Sequence, residues 1–449
     1  MKTSTVVSIF SGCGGFDLGF KQSGFDIVYA CDWDASAVDC YARNLDPRVY
    51  RRDVTKKEFH SDIENIGTCD IVLGGFPCQG FSKAGPKNAN DTRNALYAEM
   101  RLAIAHLRPH IFIAENVDGI SQNFQGAYLD RIVSEFGDLG YHVDHRILDA
   151  VTFGIAQHRR RIFFVGTRKD STAGHSFTWP APTHHARHRN GESRVPDGPF
   201  LWETMAHKRP TRSDKPLTIS DAIGDLCELD AGVPDHCVAT WPRHYDSVFA
   251  AIKEGQKLCN VRHAATSVYT WGIPEVFGQV SERERFILET IAQHRRHKRY
   301  GNIPNGNPIP ISEIERLSNL SDIELEVKTL LEKGYLKTCG DGFDLKGAMF
   351  CSGMFKRPKW NEPAPTVLTN FYNPRYFIHP LRNRPFTLRE CARLQGFPDN
   401  FLFLNENVDL VSGYRLVGNA VPPPISRQFA AAVAAYLTPT TTRVSAVGI

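Results

Sequence analysis

The stretch Gly74-Gly75-Phe76-Pro77-Cys78-Gln79-Gly80-Phe81-Ser82 sets a cysteine just past the apolar run Ile71-Val72-Leu73. Cys78 has three readings there: a small buried thiol, a metal ligand, or a nucleophile at the tip of a strand. Glu115 stands in a comparable place, in Ala-Glu-Asn-Val after Ile111-Phe112-Ile113. Arg159 and Arg161, in Gln157-His-Arg-Arg-Arg, lead into a further apolar run. Singly these are weak signals, because strand-end glutamates usually solvate corners and arginines usually face water. Together they meet one chemical need. Nearby cations lower a thiol's pKa so that it attacks as thiolate. A carboxylic acid in a low-dielectric pocket keeps its proton and can donate it. With a methyl sulfonium donor, such a set suits methyl transfer to an unreactive carbon of a pyrimidine ring.

A second site candidate is Phe10-Ser11-Gly12-Cys13-Gly14-Gly15-Phe16-Asp17, directly after the apolar run Val6–Ile9. Glycines at a strand-to-helix turn let the backbone approach a ligand closely. A dinucleotide fingerprint needs a third glycine, and Asp17 stands at that place, which weakens a nicotinamide reading. Asp32 and Asp53 fall just after further strand patterns, where carboxylates can accept hydrogen bonds from ribose hydroxyls, and Trp33 can cover an adenine. An acidic rim of this kind suits a nucleoside without phosphates, S-adenosylmethionine being the cationic example. A plain strand-helix turn is the bland alternative.

These residues need a frame to hold them. From residue 5 to 170 short apolar runs alternate with helical stretches, as repeated βα units do. Strands are expected at Val6–Phe10, 27–30, 71–73, 111–114 and 161–165. Runs this apolar imply a mainly parallel sheet covered by helices, with the last strand able to run antiparallel. Ligand chemistry in such sheets gathers at the strands' carboxyl ends, where Cys78 and Glu115 fall. The apolar helix 425–437 is expected to pack against the sheet.

The chain's 449 residues allow two or three domains, and 42% apolar with 23% charged residues is ordinary for a globular protein. No run approaches a membrane span and the first residues lack a signal peptide's layout, so a cytoplasmic location is expected. The eleven cysteines include no CxxC pair. That argues against a ribbon-type zinc site or a disulfide framework. The net charge of +4 is mild, but basic residues cluster at 184–189, 207–212 and 294–299. His184-His185-Ala186-Arg187-His188 has ligand-like spacing and reads as a nucleic-acid-facing loop rather than a metal site. Residues 282–345 look like a unit of their own: a helix from 282 to 293, then helices opened by capping boxes Ser312-x-x-Glu315 and Ser321-x-x-Glu324, then a hairpin. Three helices and a hairpin read as a winged-helix-like insertion.

Nine stretches in order resemble the DNA (cytosine-5) methyltransferases of bacterial restriction-modification systems. They are FSGCGGFDLGF, CDWD, RRDVT, GGFPCQGFS, DTRNAL, AENV, QHRRRIFFVG, RECARLQGFPDNF and YRLVGNAVPPP, spanning residues 10–424. The resemblance implies an S-adenosylmethionine-dependent, Rossmann-like catalytic domain (1–170, completed by 386–449) and a smaller target-recognition domain (171–385). It implies that Cys78 adds to C6 of a cytosine flipped from the duplex, that Glu115 hydrogen-bonds N3 and the amino group, and that Arg159 and Arg161 bind the O2 side. Phe10, Gly12, Gly14, Gly15, Asp32, Trp33, Asp53, Pro77, Leu96 and Asn419 would line the cofactor pocket, the product being S-adenosylhomocysteine. Gln79, Ser82, Asn116, Val117 and Gln157 would meet the substrate, and no metal is implied. Double-stranded DNA is the expected partner, with a cognate restriction endonuclease as functional partner, no membrane, and a monomeric chain. Two rivals stay open: an RNA cytosine-5 methyltransferase, and a non-catalytic DNA-binding regulator on the same scaffold.

Overall fold

The computed structural model describes residues 3–76, 96–121, 127–171, 176–184, 215–226, 228–229, 232–260, 264–303, 306–346 and 354–438. It forms two compact units: residues 1–236, 362–369 and 388–449, and residues 237–361 with 370–387. The division into these packed units falls at 236/237, whereas the resemblance implied a domain boundary at 170/171. The reason is that residues after 170 still pack on the first unit. Trp179 meets the ring of Phe429 at 5.8 Å, and the fully buried Arg389 donates to the carbonyl of Pro234 at 2.8 Å and pairs with Asp235 at 3.1 Å.

The first unit is built on a seven-stranded sheet. In chain order it runs β1 (Thr5–Ile9), α1 (Gly15–Gln22), β2 (Asp26–Asp32), α2 (Ala35–Asn44), β3 (Val49–Arg51), α3 (Lys57–Ile66), β4 (Ile71–Gly74) and α4 (Leu96–Leu107). Then come β5 (Ile111–Val117), α5 (Ala127–Gly137), β6 (Tyr141–Asp149), β7 (Arg160–Arg168) and α6 (Ile219–Ile223). The strand order is β3-β2-β1-β4-β5-β7-β6, with β1 to β5 parallel and β7 antiparallel to both β5 and β6. The central strands are buried along their length because Val, Ile, Leu and Phe fill both faces, as a helix-covered parallel sheet requires. Val7, Val72, Phe112 and Phe164 share one core with Ile104 of α4 and Ile132 of α5. The edge strands β3 and β6 carry exposed polar residues and lack that apolar signature.

Three late helices close the first unit: α12 (Leu388–Leu394), α13 (Leu410–Asn419) and α14 (Pro423–Leu437). The apolar α14 lies on α1 and reaches the sheet through Phe429, whose ring is 4.9 Å from that of Phe163 on β7. A Cβ at Gly19 of α1 would stand 2.3 Å from the backbone nitrogen of Arg427, so only glycine lets the helices meet this closely. Ser426 seals the contact by donating its hydroxyl to the carbonyl of Phe16.

Asp17, in the first turn of α1, is 0% exposed, and neither carboxyl oxygen has a hydrogen-bond partner. Burial pushes its pKa from 3.8 up to about 6, against a smaller opposing effect of the neighbouring Ser8 and Tyr41 hydroxyls. A raised acid binds its proton more tightly in the native state than in the unfolded chain. Stability therefore falls as pH rises through the window between the two values, and levels off above about 6. Asp17→Asn removes that charge. Its stabilising effect should be larger at pH 8 than at pH 5 by about 1–2 kcal/mol, read as a difference in melting temperature. Equal effects at the two pH values would show that the carboxyl is paired.

The second unit opens with α7 (Tyr245–Ala251), β8 (Lys257–Leu258), β9 (Ser267–Val268) and α8 (Pro274–Phe277). Then follow α9 (Glu282–His294), β10 (Ile309–Pro310), α10 (Ile311–Ser318), α11 (Glu324–Glu332), β11 (Leu336–Cys339) and β12 (Gly342–Leu345). The last three strands pair antiparallel in the order β10-β12-β11. Ile287, Ile291, Ile314, Val327, Leu330 and Leu345 form their shared core. Neither expected capping box forms here. Pro310 and Ile323 occupy the N-caps of α10 and α11, neither with a side-chain bond, and Glu315 instead accepts from the backbone N–H of Ile323 at 3.4 Å. Capping boxes do form at Ser281 with Glu284 and, in the first unit, at Thr218 with Asp221. Arg357 organises the rest of the unit, donating from a buried position to the carbonyls of Phe249 (2.7 Å), Ile252 (2.6 Å) and His379 (2.6 Å). Among the described residues no helix is long and apolar enough to cross a membrane.

Candidate active site

The carboxyl ends of β1, β2 and β3 build one half of the site. Phe10 leaves β1 in the left-handed region at φ 58°, a conformation that costs a non-glycine residue energy and marks a constrained turn. Gly12 (φ 56°) and Gly14 (φ 90°) continue it and lead into α1. Asp32, the last residue of β2, holds this turn: its carboxylate accepts from the N–H of Gly12 at 2.9 Å and from that of Asp34 at 2.9 Å. Trp33 follows with 70% of its surface exposed. Asp53, exposed beyond β3, accepts from the N–H and hydroxyl of Thr55 at 3.0 and 2.8 Å, bonds that hold its pKa below the usual carboxylate range.

The space at this edge is real. A Cβ built on Gly12 meets nothing within 4 Å, so open space lies at the residue whose N–H the Asp32 carboxylate accepts, and Trp33 next in the chain is largely uncovered. A nucleoside offers hydroxyls to such carboxylates and a flat base to such a ring, so the residues fit S-adenosylmethionine. Of the other expected cofactor residues, Leu96 opens α4 partly buried, and Asn419 ends α13 exposed. Gly15 works in packing, since a Cβ there would strike the carbonyl of Val421 at 2.4 Å. Pro77 lies outside the described residues.

The other half stands at the ends of β4, β5 and β7. Antiparallel pairing sets Glu115 opposite Phe163 and Val117 opposite Arg161, so the two charged side chains come from adjacent strands. They meet: Arg161 Nε lies 2.9 Å from Glu115 Oε1. Glu115 is only 8% exposed, and burial raises its pKa, with the Arg161 and Arg159 cations offsetting part of the effect. Gly75 leaves room beside it, because a Cβ there would sit 3.6 Å from Glu115 Oε2. Cys78, Gln79 and Ser82 lie outside the described residues. The chain reaches them through Phe76, whose carbonyl accepts from Asn116 Nδ2 at 2.8 Å.

Three residues expected at the substrate hydrogen-bond to the protein itself. Asn116, 3% exposed, tethers the end of β4 and accepts from the N–H of Val117 at 2.8 Å. Gln157 is buried, donates to the carbonyl of Leu394 at 2.9 Å and to Gln395 Oε1, and accepts from the N–H of Val367 at 2.8 Å. Arg159, 1% exposed, donates to the carbonyls of Val367 (3.1 Å), Gly418 (2.8 Å) and Ala420 (3.1 Å). Its guanidinium therefore fastens the segment 362–369 and the end of α13 to the sheet, a positioning task. Burial and the neighbouring Arg161 cation hold its pKa well below the ordinary value. Gln395 completes this network, donating to the carbonyl of Ala420 at 2.6 Å. Sequence reading gave it no role, although it stands in RECARLQGFP.

A mixed sheet of this order, with its glycine turn after the first strand, is the α/β methyltransferase fold. The chain belongs to the C-5 cytosine-specific DNA methylase family, whose model matches residues 4–435. The Type II methyltransferase M.DdeI of Desulfomicrobium norvegicum is 28% identical over 444 residues, covering 96% of this chain and 88% of its own. M.AgeI of Thalassovita gelatinovora, also a Type II methyltransferase, is 29% identical over 96% of this chain and 98% of its own. A solved chain described as a candidate DNA modification methyltransferase encoded within a prophage (E. coli) shares the fold. It has a TM-score of 0.53 at 22% identity, over 97% of this chain and 99% of that one.

Proposed function

We propose that this chain transfers a methyl group from S-adenosylmethionine to C5 of a cytosine flipped out of a specific duplex DNA site, through a covalent Cys78–C6 adduct. The observation that carries the reading is the buried Glu115–Arg161 pair beside the exit of β4, 2.9 Å apart. Cys78 adds to C6, and the electron pair moves into the ring. Glu115 hydrogen-bonds N3 and the amino group, so the ring's negative charge grows against a proton donor. Arg161 keeps that carboxyl in place and binds the O2 side. C5 becomes nucleophilic and takes the methyl group, and loss of the C5 proton then expels the thiolate. Reaching both faces of the ring requires the base to leave the stack. The cofactor supplies an electrophilic methyl on a sulfonium. Asp32 and Asp53 would hold its nucleoside part, Trp33 its base, and the turn through Gly12 and Gly14 its remainder.

The Type II naming of the relatives supports a host-protection role alongside a cognate endonuclease, with the target read by residues within 171–385. Labelled methyl transfer to duplex DNA and to tRNA tests the reading. Incorporation into DNA alone is expected, and sequencing the methylated cytosines gives the site. Transfer only to tRNA, or to neither, would overturn it. Asp32→Ala should weaken S-adenosylmethionine binding by about 1.5–3 kcal/mol, the value of a charged hydrogen bond, through loss of both ribose contact and turn brace. Calorimetry giving unchanged affinity would remove Asp32 from the site.

A further inference from the structure

The order α9, β10, α10, α11, β11, β12 is a helix-turn-helix flanked by a three-stranded sheet, and in helix-turn-helix readers the second helix enters the major groove. That helix is α11, and its charge is wrong for the task. Asp322, Glu324 and Leu325 are exposed at its start, and Glu326 is taken by Arg283, which also donates to the carbonyl of Ser321 at 2.8 Å. Carboxylates on a groove-facing surface repel phosphates.

The positive charge of this unit lies at a different corner, where α9 ends against α10. Arg296, His297, Lys298 and Arg299 are all exposed there. Arg316 of α10 joins them, since Arg316 and Arg299 reach the same carboxylate, Glu313, at 2.9 and 3.3 Å. The Arg316 guanidinium, then the Tyr300 hydroxyl, with a smaller effect of Arg299, hold Glu313 down to about 2. The cations also reach His294, whose pKa is lowered first by burial and then by Arg299, His297 and Arg316. Among the described residues, Arg296 and Lys298 have no carboxylate within ion-pair distance. The bland account is complementation of the α9 dipole, but that effect fades within the last turn. The helix ends at His294, and its C-cap, Arg295, is buried on Asp344 at 2.8 Å. The exposed cations lie beyond it.

We propose that this corner docks on the phosphate backbone of duplex DNA, and that the unit holds the duplex by it rather than by placing α11 in a groove. Exposed cations on a unit whose three helices share one core can position DNA without reading its sequence, the task of phosphate contacts. The inference rests on the proposed action on DNA, and the experiment separates the two. Binding of the full chain to duplexes with and without its target is measured across salt concentrations. The variants are Arg296→Ala with Lys298→Ala, Lys298→Ala alone, and Glu324→Lys.

The double variant should flatten the slope of log K against log salt by about 1.8 and the single one by about 0.9, for target and non-target duplexes alike. Turnover at saturating DNA and cofactor affinity should stay at wild-type values. Glu324→Lys should leave the slope unchanged. A double-variant slope equal to wild type overturns the corner as a contact, and a steeper slope in Glu324→Lys puts α11 on the DNA and overturns the rest. Failure of the wild-type chain to bind or methylate any duplex overturns the parent reading instead.

Discussion

Cys78→Ala is expected to reduce methyl transfer to duplex DNA by at least about 10⁴-fold, the scale on which loss of a covalent nucleophile acts. In the proposed mechanism the thiolate is what makes C5 reactive. Cys13, Cys31, Cys40 and Cys69 of the same unit are buried, and burial pushes the thiols of Cys31 and Cys69 up to about 12, away from thiolate character. Duplex carrying 5-fluorocytosine at the target gives a second readout. Fluorine cannot leave C5 as a cation, so methylation strands the enzyme on the DNA as a complex that survives denaturing electrophoresis. The complex should require both S-adenosylmethionine and the correct sequence, and should vanish in Cys78→Ala while cofactor binding persists. Adduct formation by that variant would assign the nucleophile to another residue.

Glu115→Gln is expected to lower turnover by about 10²–10⁴-fold, the range for a positioned proton donor, with little change in the half-saturating DNA concentration. The pH profile distinguishes this role from a structural one. Burial raises the pKa of Glu115, so its donor form persists to higher pH than in a free glutamate and is lost as pH rises through the raised value. The wild-type profile should therefore carry an alkaline limb due to Glu115, and Glu115→Gln, whose amide cannot ionise, should lack it. Thiolate formation at Cys78 rises with pH and acts on the opposite limb. An unchanged limb in the variant would show that Glu115 acts only as a brace for Arg161.

Much of the frame was legible because its central strands are apolar on both faces. Ile71–Leu73 and 111–114 admit few other readings, and Glu115 follows from the second of them, whose strand runs on to Val117. Edge strands β3 and β6 were not legible. Tyr141–Asp149 mixes His, Asp and Arg with its apolar residues and pairs on one side only. The expected capping boxes at Ser312 and Ser321 competed with tertiary packing and lost, since Ile314 and Ile323 are fully buried and set where each helix begins.

The site shows the same division. Sequence chemistry finds residues that can react, but it does not say where a side chain's donors are spent. Arg159 and Arg161 are two residues apart and alike in type, yet one meets a carboxylate and the other backbone carbonyls of chain more than 200 residues away. Gln157 and Asn116 belong with Arg159. Apart from Gln395 Oε1, which Gln157 reaches, the partners reported for them are main-chain atoms, which carry no signature in the sequence.

The contact between α1 and α14 joins residues 410 positions apart in the chain. A ribosome adding about 5–20 residues per second makes α1 roughly 20–80 s before its partner exists. Through that interval Gly15 and Gly19, shaped for close approach, have nothing to approach, and Arg159 lacks the carbonyls of 418 and 420. The first unit thus cannot finish assembling before α14 has been made. A chain broken between Glu115 and α14 carries the Cys78 and Glu115 motifs without the helix that completes the unit holding them.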